Sequence, residues 1–190
     1  RVIIHNPHTY HIGYRNTKTI LKRMILIMIR EIRLYGDPVL RAQAETVPEI
    51  TRETHDILTD MWDTMQHNHC VGLSAPQIGI SLRLFVLNAG GVVIRGANPE
   101  VLTEGSPSED MEGSPCIPGI QRPVRRPRKI MARYLDESGT PIETELKGVA
   151  ARAYLHERDH HNGVLFIDHL KPVQLRLIQK DLDRIAARTP

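Results

Sequence analysis

The segment that most constrains this chain is Leu155-His156-Glu157-Arg158-Asp159-His160-His161-Asn162-Gly163. His156 and His160 stand four residues apart, so a helix stacks them on one face. Two imidazoles at that spacing can share one divalent cation. Glu157, beside the first of them, can then reach a water held by that cation. The cation would lower the pKa of the water toward neutrality, which no side chain of this chain could do alone. Asn162-Gly163 is a helix C-cap pattern, so the spacing predicts a helix over residues 148–162. Val149, Ala150, Ala153 and their small neighbours let it lie deep in the fold, and a buried histidine pair flanked by carboxylates needs a chemical reason. The same letters also fit a polar helix face with solvated histidines. His161 falls about 100° around the helix from His160 and reads as a supporting or surface residue. Asp159 reads as a helix-stabilising carboxylate or as acceptor for the second N–H of a ligand imidazole. A third protein ligand must come from elsewhere; Cys116, Cys70 or a remote Asp or Glu are candidates that spacing does not separate.

The remaining segments place this helix in a fold. Asp37-Pro38 is a helix start. Ile57, Leu58, Met61, Trp62 and Met65 fall at helical spacing and predict a helix over 53–67 with one apolar, core-facing stripe. Residues 68–79 read as a loop. Residues 82–88 are mostly apolar and read as a strand buried on both faces. Residues 129–136 and 141–147 flank Glu137-Ser138-Gly139 as a β-hairpin, and an amphipathic helix is expected over about 171–187. Strands precede the histidine helix without a βαβ rhythm. The expected class is therefore α+β, with mixed or antiparallel strands packed around a central histidine helix and a C-terminal helix. Arg122, Arg125, Arg126, Arg128 and Lys129 form a basic cluster broken by two prolines, expected as a solvated strand edge.

Composition excludes several classes. A chain of 190 residues, 41% hydrophobic and 25% charged, fits one ordinary domain that needs neither disulfide nor metal merely to fold. Its longest uninterrupted apolar run, Met24–Ile29, has six residues against the about 20 that a spanning helix needs, so no membrane role is expected. Two cysteines make no disulfide scaffold. The formal charge of +3 joins two unlike pieces. Residues 1–30 carry six of the 25 Lys/Arg and no acid, leaving 19 bases against 22 acids in residues 31–190. The domain is thus mildly acidic and no DNA partner is expected. Residues 1–27 read as an N-terminal extension ahead of a single catalytic domain over 28–190. They fit upstream sequence, since Met28 opens a natural-looking start, or a transit-like targeting segment. The first implies a bacterial cytoplasmic location and the second a mitochondrion or plastid.

Three ordered segments resemble the peptide deformylase family: Gly72–Gly79 ("GLSAPQIG"), Glu112–Gly119 ("EGSPCIPG") and His156–Phe166 ("HERDHHNGVLF"). Tyr35–Arg41 ("YGDPVLR") and the C-terminal segment match as well, so the resemblance spans about residues 28–188. It implies a metal-dependent hydrolase that removes the formyl group from N-formylmethionine of nascent polypeptides, as part of N-terminal methionine processing in protein biosynthesis. It implies His156 and His160 as metal ligands and Glu157 as general base and acid. Gln77 is implied as donor to the formyl oxygen as it becomes an oxyanion, a role that preorganised donors serve well. Gly72 keeps backbone close to the substrate, and Val71, Leu73 and Ile117 are implied to touch it. The expected metal is Fe2+, with Zn2+, Ni2+ or Co2+ as alternatives. The C-terminal helix is implied as a ribosome contact.

The second motif departs from the family, which has Glu-Gly-Cys-Leu-Ser with cysteine as third ligand. Here Ser114 stands at the ligand position. Pro115 follows it and has no N–H to offer an oxyanion. Three outcomes stay open. Cys116 can replace the ligand by a two-residue shift, which on a strand keeps the same face, with Ile117 donating its N–H. The metal can be held by the two histidines with water or Ser114, at low activity. Or the chain has lost catalysis and binds formylmethionyl or nascent chains without turnover.

Overall fold

The computed structural model describes residues 28–189; the N-terminal extension expected over 1–27 lies outside them. Helix α1 (Arg52–His67) starts at Thr51, whose side chain accepts from the Thr54 N–H. Strand β1 (Gly72–Ser74) follows, then a short 3-10 turn over Ala75–Ile78. Strands β2 (Leu84–Ala89), β3 (Val92–Glu104), β4 (Pro107–Ser114), β5 (Ile117–Pro127), β6 (Lys129–Asp136) and β7 (Pro141–Lys147) come next. Helix α2 (Gly148–His161) carries the histidines, and α3 (Pro172–Ala186) closes the chain. The expected α+β class holds. An antiparallel sheet runs in the order β1-β2-β3-β6-β7, and β4 and β5 form a separate antiparallel pair.

Strand β2 is the axis of the molecule. Its side chains alternate between two apolar layers, as the period of two requires. Phe85 and Leu87 pack with Tyr154, Leu155 and Ala151 of α2. Leu84 and Val86 pack with Leu58, Met61 and Met65 of α1. The histidine helix therefore covers one face of the sheet and the amphipathic helix the other. A third apolar cluster joins Ile117, Ile120 and Val124 of the β4–β5 pair to Ile178, Leu182 and Ile185 of α3. Among the described residues, no helix is long and apolar enough to cross a membrane.

The structure adds strands that the sequence reading lacks. Strand β1 lies inside the segment read as loop, with all three residues buried. Strands β3, β4 and β5 were hidden by proline, which is normally confined to bulges and edges. Pro99 sits where the β3–β6 register shifts between Ala97 and Glu100. Pro118, Pro123 and Pro127 lie on β5, whose partner is β4 alone. The Asp37-Pro38 start opens only a 3-10 turn over Pro38–Arg41, with the Asp37 carboxylate accepting from the Val39 N–H.

Candidate functional site

Helix α2 places His156 and His160 side by side, with their Nε2 atoms 3.3 Å apart. Both imidazoles are buried. The Nδ1 of His156 lies 3.2 Å from Glu112 Oε2. A carboxylate there fixes the proton on Nδ1 and leaves the Nε2 lone pair facing His160. Burial pushes the His160 pKa well below its ordinary value, helped by the neighbouring His156, so this ring is neutral. Burial also opposes protonation of His156, but Glu112 and Glu157 outweigh it and its pKa is raised.

Glu112 belongs to a buried ionic network that the sequence reading missed. Its two carboxylate oxygens accept from Arg126 at 2.8 and 2.9 Å, and Arg152 Nη1 lies 2.6 Å from Oε1. Arg126 also reaches Asp159 Oδ2 at 2.6 Å, and His169 Nε2 lies 2.7 Å from the same oxygen. Burial works against the ionised Glu112, yet the His156 and Arg126 contacts hold its pKa well below the usual carboxylate range. Arg126 thus corrects the reading of its cluster as a solvated edge. It is only 4% exposed, while Arg125, Arg128 and Lys129 do lie at the surface. The guanidinium joins hairpin to helix through a two-pronged contact that a lysine could not make. Asp159 is an acceptor in this network. His161 is neither a surface residue nor part of it: its Nε2 lies 2.8 Å from Leu84 O, pinning α2 to β2.

Glu157 is 3% exposed, and burial pushes its pKa up to about 7 against the pull of His156. Among the described residues, its Oε2 and His160 Nδ1 are buried without a hydrogen-bond partner. Gly72 makes room for this carboxylate, because a Cβ at that position would overlap Glu157 Oε1. Gln77 sits opposite. Its Oε1 accepts from the Ser74 N–H (2.7 Å) and hydroxyl (2.9 Å), which fixes the amide orientation. Its Nε2 then faces Ser114 Oγ at 3.3 Å and Cys116 Sγ at 3.5 Å.

These groups border a cavity of about 780 Å³. Gly72, Val71, Gln77, Ser114, Ile117, His156 and Glu157 line it. Three residues expected at the site do not: His160, 1% exposed with its Nε2 against His156, and Leu73 and Cys116. Leu73, between Gly72 and Ser74 on β1, turns to the α1 layer. Cys116 is fully buried in the apolar cluster shared with α3, and burial pushes its thiol up to about 12 despite hydrogen bonds to Gln77 and Ser114. Among the described residues, no group of three His, Cys, Asp or Glu side chains is gathered as a metal cluster. The donor chemistry fits a divalent cation through the two facing imidazoles: His160 is held neutral, and His156, whose carboxylate neighbours favour its proton, can yield that proton to a cation on the same face.

The family model for polypeptide deformylase matches residues 29–176. The chain is 41% identical over 152 residues to the peptide deformylase of Acidothermus cellulolyticus, covering 80% of this chain and 84% of that protein. Among solved structures, the peptide deformylase of Thermus thermophilus aligns with a TM-score of 0.81 at 36% identity, over 85% of this chain and all of that one. The enzyme of Legionella pneumophila aligns with a TM-score of 0.78 at 38% identity, over 85% of this chain and 99% of that one.

Proposed function

The chain belongs to the peptide deformylase family, and from that premise we propose that it hydrolyses the formamide of N-formylmethionyl peptides, releasing formate and a free amino terminus. The observation that carries this is the pairing of the two Nε2 atoms, 3.3 Å apart, beside a buried carboxylate with an unpartnered oxygen. The family is metal-dependent, and His156 and His160 would hold one divalent metal here, Fe2+ first with Zn2+, Ni2+ or Co2+ as alternatives. When bound, that metal would supply a water of lowered pKa and polarise the formyl oxygen.

Glu157 takes a proton from the attacking water and returns one to the departing amine nitrogen. A carboxylate raised toward neutrality can serve as both acceptor and donor. Gln77 Nε2, held by the Ser74 contacts on the far side of its amide, is the donor aimed at the developing oxyanion. Pro115 contributes no N–H there, so the oxyanion has one donor fewer than the family pattern provides. Val71, half exposed at the cavity rim, and Ile117 in its wall give the methionine side chain an apolar surface. Helix α3 presents Val173 and Leu177 to solvent; this face is the proposed ribosome contact, with a cytoplasmic location.

Formate release from a formyl-Met peptide by the metal-loaded protein tests the reading. Glu157→Ala is expected to lower the rate about 10²–10⁴-fold, the usual worth of a positioned acid–base group, with an unchanged circular dichroism spectrum. No formate from the loaded wild type would sink the proposal. Peptide binding without turnover would instead support a binding role.

A further inference from the structure

The proposed metal centre has two histidines, and only if that centre holds does a third protein group face a metal there. Ser114 and Cys116 compete for that place. Strands β4 and β5 lose register between Gly113, opposite Gln121, and Ser114, opposite Ile117. Ser114 is therefore the last residue of β4, while Pro115 and Cys116 form the turn. A two-residue shift keeps the same face only along a continuous strand. Here the chain turns, and Cys116 leaves the cavity side.

The backbone contacts and apolar neighbours of Cys116 hold it there, although its Sγ still accepts from Gln77 Nε2 at 3.5 Å. Its carbonyl accepts from the Tyr35 N–H at 2.8 Å. Its N–H donates to Ser114 Oγ at 3.3 Å. Its side chain is fully buried among Leu40, Phe166, Ile167 and their neighbours. Ser114 lines the cavity with His156 and Glu157. Its hydroxyl oxygen receives two N–H donors, Gln77 Nε2 at 3.3 Å and the Cys116 amide, which fix its position.

We infer that no thiolate joins the metal ligands, so that this chain has a two-histidine centre, with the Ser114 hydroxyl, its oxygen already accepting from Gln77 and the Cys116 amide, in the cavity wall where the family pattern has a cysteine. Cys116 is a core thiol whose amide and neighbour Gln77 steady that hydroxyl. A neutral oxygen in place of a thiolate weakens binding and shifts preference away from thiophilic ions.

Cobalt(II) loading of the purified full chain tests this without reference to turnover. The wild type is expected to bind Co2+ through His156 and His160, to show no thiolate-to-cobalt charge-transfer absorption in the near ultraviolet, and to yield the ion readily to a chelator. Ser114→Cys is expected to gain that absorption and to retain Co2+ about 10–100-fold more tightly, a range that even outer partners of a ligand can command. Cys116→Ala should match the wild type in both. A thiolate band in the wild type overturns the inference whether or not any variant folds, and its loss in Cys116→Ala would make Cys116 the ligand. If neither wild type nor Ser114→Cys binds Co2+ in a His156-dependent way, the metal reading of the site fails as well. If the wild type binds it without a thiolate band, both stand.

Discussion

Helix α2 and the tip of the β4–β5 hairpin meet at one cavity, but they reach it by different physics. On the helix, four-residue spacing stacks the two imidazoles on one face, where their Nε2 atoms lie 3.3 Å apart. On the hairpin, the slip of register between Gly113 and Ser114 decides whether a hydroxyl or a thiol lines that cavity. The helix carries all the groups that the chemistry asks of it. The hairpin substitutes Ser114 and Pro115 at the two positions where a thiolate and an N–H are expected. Local periodicity protects the first set, because any helix through these residues reproduces it. The second set depends on how a turn is closed, and so can drift.

The sharpest way to break this contrast is to cut the link between the two elements. Arg126 bridges Glu112 on the hairpin to Asp159 on the helix, with all three buried. Arg126→Ala removes the shared partner of two buried carboxylates, leaving Glu112 to Arg152 and Asp159 to His169, and is expected to cost about 3 kcal/mol in a denaturant or thermal melt. It should also lower metal retention, since Glu112 orients His156. A loss below about 1 kcal/mol would mean that helix and hairpin are energetically independent.

Gly72→Ala probes a smaller dependence, that of the helix carboxylate on strand β1. The new Cβ would displace Glu157 Oε1. A shift of about 1 Å in such a group can cost up to about a hundredfold, so kcat is expected to fall about 10–100-fold with little change in melting temperature. An unchanged kcat would show that Glu157 acts from another position.

The smallest effect is expected where the helix meets the sheet without the hairpin. The Tyr154 hydroxyl lies 2.7 Å from Arg133 O and 3.0 Å from Glu100 O. Tyr154→Phe should cost about 1 kcal/mol and leave metal retention alone. Burial raises the Tyr154 pKa above its ordinary value. Its neutral form therefore stabilises the fold fully below about pH 10 and ceases to do so as pH rises through the higher folded value. The phenylalanine variant should lose less stability over that alkaline range, as followed by melts at stepped pH.

Some of this was legible from spacing. The stripe of Leu58, Met61 and Met65 announced α1, and the cap at Asn162-Gly163 ended α2 where expected. The two-sided apolar run became β2. Other features were not legible. Strands rich in proline and charge hid β4 and β5, whose pairing is long-range. Arg126 looked like one basic residue among five, because nothing local marks which of them folds inward onto Glu112 and Asp159. Leu73 sat in a motif that implied substrate contact, yet strand alternation sends it to the opposite layer from Gly72 and Glu157.

The sequence by itself determined the histidine helix, the carboxylate of Glu157 beside its first histidine and the family pattern to which they belong. Each depends on contacts within a few residues, where helical geometry leaves little choice. Only the tertiary structure decided that Ser114 lines the cavity and that Cys116 is buried behind it. That choice depends on the closure of a two-residue turn against Tyr35, Gln77 and the α3 core, and those partners lie about 40 to 80 residues away in the chain.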